Sequence, residues 1–423
     1  MKKYRRSIAL PVILLTLLAC MPAEAQPFTE TYPESVGVSS DRLERIDDVL
    51  QEYVDDGRLP GAALVIGRRG KIVYEKAFGM RDLEAEDELS TDDLFRIASQ
   101  TKAIVSAAVM MLQERGALLI DDELSRYFPG FENSTVAVAG DTYEIVPAER
   151  EITLRDLLTH TSGIGYGGGP AADRWEEAGI QGWYFADRDE PIAETVARMG
   201  SLPMDAQPGE SFVYGYSTDI LGAVVEKVSG HPLDEFLESE IFEPLGMDDT
   251  HFYVPEDASD RLTVVYSVQE DGTLERAPDP GHMVGQGMYV DGPRTSFSGG
   301  AGLISTPGDY ARFLEALRRG GALDDARILS PKTVELMTVD HLHDVSPWDG
   351  SGFGLGFEVI EELGHDGLPG SVGLYRWGGA YHSTYWVDPA EELVVAYMTQ
   401  VIPAGGLDEH ARIRALVYQS LLD

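Results

Sequence analysis

Leu43, Ile46, Leu50 and Tyr53 recur at helical spacing with polar residues between them, and Gly57 follows as a stop. That pattern predicts an amphipathic helix over 41–56. The apolar run at 62–66, the polar Arg68-Arg69-Gly70-Lys71 and the apolar Ile72-Val73-Tyr74 then read as strand, turn and strand, a β-hairpin. Residues 99–115 are apolar on every helical face up to Gly116, which predicts a buried helix. Further helical stretches at 154–159, 218–229 and 233–241 are separated by Gly- and Pro-rich loops. The segment 163–182 carries seven glycines and reads as a long loop. Strand patterns return at 355–359, 383–387 and 393–397, and a helix over 407–421 ends the chain.

Strand-forming segments therefore lie toward both ends, with a helical stretch between them. The expected class is α+β: one antiparallel sheet flanked by N- and C-terminal helices, plus a mostly helical lobe, with the active site between them. The lobes divide at about 30–98 with 290–423, and 99–289, within a single catalytic domain over 26–423.

Composition narrows the class. Apolar residues are 43% and charged residues 25% of 423, proportions of a globular chain rather than a disordered or fibrous one. The formal net charge of −39 repels phosphate backbones, which excludes nucleic acid as a partner. At the N-terminus, Lys2, Lys3, Arg5 and Arg6 precede an apolar run over 8–19, and Ala23-Glu24-Ala25 follows. This is the pattern of a signal peptide over 1–25 and predicts export, to the periplasm or beyond. The run is too short for a membrane span. The alternative is a lipoprotein signal, Leu17-Leu18-Ala19-Cys20, with lipid on the one cysteine. Cleavage after Ala25 leaves no cysteine for a disulfide, thiolate or metal.

The candidate chemistry begins at Ser99-Gln100-Thr101-Lys102, which opens the buried helix. Residues at i and i+3 share a helical face, so the Lys102 amine falls beside the Ser99 hydroxyl. A lysine in the first turn of a buried helix is costly unless it has a task, and activating a serine is one. Downstream, Tyr214-Gly215-Tyr216 precedes another apolar helix, and Trp377-Gly378-Gly379-Ala380 sits between two strand patterns. Small residues there permit close approach of a ligand to backbone N–H groups. No serine lies in G-x-S-x-G, which excludes a nucleophile elbow. His341 and His343 read as exposed loop residues rather than metal ligands, and His160 as structural. Neither metal nor cofactor is expected.

Together with 154–163, 299–306 and 386–389, these elements resemble the serine β-lactamase and penicillin-binding-protein superfamily in its class C-like branch. The likeness is closest to the family VIII carboxylesterases and runs from about residue 35 to the end. It implies a β-lactamase/transpeptidase-like fold, with Ser99 as acylated nucleophile, Lys102 as its base and Tyr214 as proton relay. It also implies an oxyanion hole made by the backbone N–H groups of Ser99 and Ala380. Tyr216, Trp377, Gly378, Gly379 and His382 would line the substrate pocket.

Two departures separate substrate classes. Tyr216 stands where β-lactamases usually carry Asn, and Trp377-Gly378 stands where they carry a lysine and a hydroxyl. The missing cation is the group that holds a β-lactam carboxylate, whereas tryptophan offers apolar area. The expectation is a serine hydrolase acting on small carboxylic esters of short acyl chain. A β-lactamase or D-amino-acid peptidase, an acyltransferase and a non-catalytic cell-wall-binding protein are the alternatives. Trp175, Trp183 and Tyr184, in the long loop region, are candidates to cap the site and shape acyl-chain preference, or else to pack between lobes.

Overall fold

The structure, a computed structural model, describes residues 27–140 and 142–423. The signal-peptide and Cys20 readings concern residues outside that range. At the centre, β1 (Gly61–Arg68), β2 (Lys71–Asp82) and β3 (Asp87–Glu88) join five strands from the far end of the chain. Those are β4 (Ser351–Phe353), β5 (Glu358–Ile360), β6 (Tyr375–Gly379), β7 (Ser383–Asp388) and β8 (Leu393–Met398). The sheet order is β4-β5-β6-β7-β8-β1-β2-β3, antiparallel at every pairing. The two ends of the chain meet where β1 pairs with β8, Ala63 opposite Met398 and Arg68 opposite Leu393.

Every residue of β1 and β8 is buried because both faces of the sheet are covered. Ala62, Leu64, Ile66, Val395 and Tyr397 share one core with α1 (Ser40–Asp55) and the C-terminal helix. From α1 come Leu43, Ile46 and Leu50, each worth about 1.5–3 kcal/mol of burial. The Ser39 side chain accepts the Arg42 N–H and caps the start of α1. Ala63, Val65, Val394, Ala396 and Met398 face the opposite core with α2 (Thr101–Glu114). Residues 101–112 of α2 are buried without exception, as its all-round apolar pattern requires. On its far side α2 packs against α3 (Ser217–Ser229), and α4 (Pro307–Arg318) backs the same sheet face. The C-terminal helix is α5 (Glu409–Gln419). No helix among the described residues is long and apolar enough to cross a membrane.

Two local expectations fail for identifiable reasons. The segment 355–359 is not one strand: Gly354–Phe357 turns between β4 and β5, and Gly356 has φ 106°. Leu355 and Phe357 are apolar because the turn is buried in the core, a pattern that a short apolar run cannot distinguish from a strand. The 163–182 loop contains a helix, Ala172–Glu177, anchored by Trp175, whose indole N–H donates to the Pro203 carbonyl.

Candidate active site

Ser99 sits in a 3-10 turn, Ala98–Gln100, that leads directly into α2. Ala98 takes φ 41°, a left-handed conformation that costs a side-chain-bearing residue about 1–3 kcal/mol and persists where the surroundings enforce it. Strand β6 presses against this turn. A Cβ on Gly379 would fall 2.4 Å from the Ile97 carbonyl oxygen and 2.5 Å from Ser383 Oγ. Glycine at 379 thus lets β6 lie against the turn that carries Ser99, while its backbone still lines the cavity described below.

Lys102 is buried, and its amine has three acceptors: Ser99 Oγ at 3.2 Å, the Tyr166 hydroxyl at 3.1 Å and the Gly300 carbonyl at 2.7 Å. Three oxygens surround the buried amine, so its hydrogens and its lone pair all have partners. The Gly300 turn is itself fixed from α3. Asp219 Oδ1 accepts the Ser298 hydroxyl at 2.6 Å and the Gly300 N–H at 3.0 Å. Burial pushes the Asp219 carboxyl above its usual range, against the opposing pull of Lys102 and these hydrogen bonds.

Tyr214 meets Lys102 through its ring rather than through its hydroxyl. The amine lies 4.7 Å from the centre of the Tyr214 ring, and the Tyr214 hydroxyl accepts the Trp377 indole N–H at 3.1 Å. Trp377 therefore brings a hydrogen bond to the tyrosine as well as apolar area, which amends the purely apolar role expected of it. His160 packs against Tyr214, ring centres 4.6 Å apart. Burial and the nearby Lys102 hold His160 well below the ordinary histidine value, so it stays a neutral support.

These groups open onto a cavity of about 590 Å³ lined by Ser99, Tyr166, Trp183, Tyr214, Trp377, Gly378, Gly379, Ala380 and His382. Tyr216, expected in that pocket, is not there. It is fully buried, its ring stacked on Trp175 and edge-on to Tyr166, and its hydroxyl donates to the Gly182 carbonyl at 2.7 Å. The chain turns into α3 immediately after Tyr216, and that turn aims the side chain away from the cleft. Trp183 reaches the cavity, whereas Trp175 and Tyr184 pack behind it. Arg376 and Arg414 also line the cavity, but both are committed. Arg376 donates to Glu358 at 2.9 and 3.0 Å and to Asp366 at 2.9 Å, and Arg414 donates to Asp366 at 3.1 Å.

Tyr166 and Asp219 were missed as functional candidates. A lone aromatic between glycines, Gly165-Tyr166-Gly167, inside a loop expected to cover the site was the available signal for the first. Burial and the neighbouring Tyr214 push the Tyr166 hydroxyl well above the usual tyrosine value, so it stays protonated at working pH.

The β-lactamase family pattern matches residues 46–419. Esterase EstB of Burkholderia gladioli is 32% identical over 383 residues, covering 85% of this chain and 91% of that protein. A putative D-alanyl-D-alanine carboxypeptidase of Escherichia coli K12 is 27% identical, covering 91% and 88% respectively. Among solved structures, EstCE1, described as a hydrolase with promiscuous acyltransferase activity, superposes with a TM-score of 0.77 at 28% identity, covering 89% of this chain and 99% of that one. The chain belongs to the β-lactamase family and is a serine hydrolase.

Proposed function

We propose that this protein is an exported carboxylesterase that works through a covalent acyl-enzyme on Ser99. The observation that carries the reading is the contact of Ser99 Oγ with the buried Lys102 amine at 3.2 Å, on the wall of a cavity whose arginines are both neutralised. Ser99 Oγ attacks the ester carbonyl carbon as its proton passes to Lys102. Collapse of the tetrahedral intermediate breaks the bond to the alcohol oxygen, which leaves with a proton delivered through Tyr214. Water then attacks the acyl carbon as its proton passes through Tyr214 to Lys102, and collapse of the second tetrahedral intermediate frees the acid and returns that proton to Ser99 Oγ. The N–H groups of Ser99 and Ala380 stabilise the oxyanion in both halves, a contribution of roughly 3–4 kcal/mol per donor.

An ester needs no cation to bind, whereas a β-lactam or D-Ala-D-Ala substrate presents a carboxylate that does. In this cleft tryptophan stands in the place of the lysine, and the arginines are spent on Glu358 and Asp366. A cavity of about 590 Å³ has room for a small ester, and the reading favours short acyl chains. A second reading, acyl transfer to an alcohol in place of water, rests on the likeness to EstCE1. Steady-state rates on p-nitrophenyl butyrate, nitrocefin and a D-Ala-D-Ala peptide, with Ser99→Ala as blank, test the assignment. Ester turnover should dominate, and faster nitrocefin or peptide turnover would overturn it. Adding an alcohol acceptor and looking for the transfer product separates the second reading.

A further inference from the structure

Ala380, the oxyanion donor proposed above, lies in a turn closed by the His382 N–H, which donates to the Gly379 carbonyl at 3.0 Å. His382 holds φ 65°, a left-handed conformation that favours glycine. Its ring lies face to face on His410, centres 4.1 Å apart at 15°. Its carbonyl accepts the His410 Nε2–H at 3.0 Å. Its Nε2 approaches Glu409 Oε1 to 2.8 Å.

Glu409 is fully buried at the first position of α5. Besides His382 it meets the Tyr397 hydroxyl at 3.2 Å and His410 Nε2 at 3.6 Å. A carboxylate removed from water needs close polar partners; burial lowers His410 to about 4, and His382 is the imidazole that approaches the Glu409 carboxylate most closely. Two histidines and a carboxylate are also a metal-ligand set. Here, however, the stacked rings are nearly parallel and His410 Nε2 spends its hydrogen on a carbonyl, so the lone pairs do not converge on one point.

We propose that Glu409 and His382 form a positioning pair that anchors the oxyanion turn to α5 and so sets where the Ala380 N–H points. The inference rests on the reading that Ser99 is acylated. A buried charge behind the turn serves the transition state by fixing a donor in advance, and a misplacement of about 1 Å in such a donor costs on the order of 100-fold.

Two variants test the pair. His382→Gly keeps the left-handed backbone without strain and removes the ring, and Glu409→Gln keeps the volume and removes the charge. Each should lower kcat for p-nitrophenyl butyrate about 10- to 100-fold with KM within about threefold, and the double variant should be no worse than either single one. The rate of Ser99 phosphonylation by a fluorophosphonate should fall by a similar factor. That probe needs the nucleophile and the oxyanion donors but no particular ester, so it reads the pair even if the ester assignment fails. His382→Gly or Glu409→Gln at wild-type phosphonylation rate would overturn the proposal. So would a loss confined to KM, a loss fully explained by melting below the assay temperature in both variants, or an equal loss produced by a chelator. No labelling of Ser99 in the wild type would overturn the proposal together with the reading beneath it.

Discussion

Trp377→Phe isolates one hydrogen bond at the centre of the site. The substitution removes the indole N–H that reaches the Tyr214 hydroxyl at 3.1 Å, a normal N–H···O distance, while an aromatic ring remains against Tyr214 and Phe353. A neutral hydrogen bond is worth about 0.5–1.5 kcal/mol, rising to about 3 kcal/mol when the acceptor carries charge. Each 1.36 kcal/mol is roughly tenfold in rate, so kcat should fall about 2- to 150-fold. The bond is internal to the protein, so KM should stay within about threefold. The assay is ester hydrolysis by Trp377→Phe, Tyr214→Phe and the double variant. Once the phenol is gone the indole has no partner, so the double variant should match Tyr214→Phe. Wild-type kcat in Trp377→Phe, or fully additive losses in the double variant, would refute a role through Tyr214.

Tyr166→Phe removes one of the three acceptors around the Lys102 amine and should lower kcat about 10- to 100-fold without loss of fold, since hydrogen bonds to charged groups are worth about 1.5–3 kcal/mol. Unchanged pH–rate profiles and kcat would remove Tyr166 from the site. Gly379→Ala drives a Cβ into the Ile97 carbonyl oxygen, and calorimetry should show destabilisation of about 1–3 kcal/mol with activity nearly abolished. Burial raises Glu226 from 4.5 to about 7, so the folded chain holds this proton more tightly than the unfolded chain does. Its contribution to stability is complete below pH 4.5 and is lost as pH rises through 7. Glu226→Gln keeps an acceptor for the Leu233 N–H and should melt above the wild type at pH 8, the advantage vanishing near pH 4.5. An equal difference at both pH values would contradict this.

Local spacing made part of this site legible in the sequence. Ser99 and Lys102 meet because a helix brings i and i+3 together, and no tertiary information was needed to see it. Strands from both ends of the chain announced an antiparallel sheet, and the β1–β8 pairing is the consequence. Tyr166, Asp219 and Gly300 come from segments remote from Ser99, and the folded chain brings them around the Lys102 amine. Tyr216 illustrates the opposite error. Two residues from Tyr214, it was expected to line the pocket, but the turn into α3 sends its ring against Trp175. Trp377 was read through its area because its polar edge acquires meaning only beside the Tyr214 hydroxyl.

Trapping the acyl-enzyme tests the central claim most directly. Intact-mass spectrometry of the protein quenched in acid during turnover of p-nitrophenyl butyrate should show a species heavier by one butyryl group. Peptide mapping should place that mass on Ser99, and Ser99→Ala should show none. An adduct on another residue, or steady ester turnover by Ser99→Ala, would contradict the account.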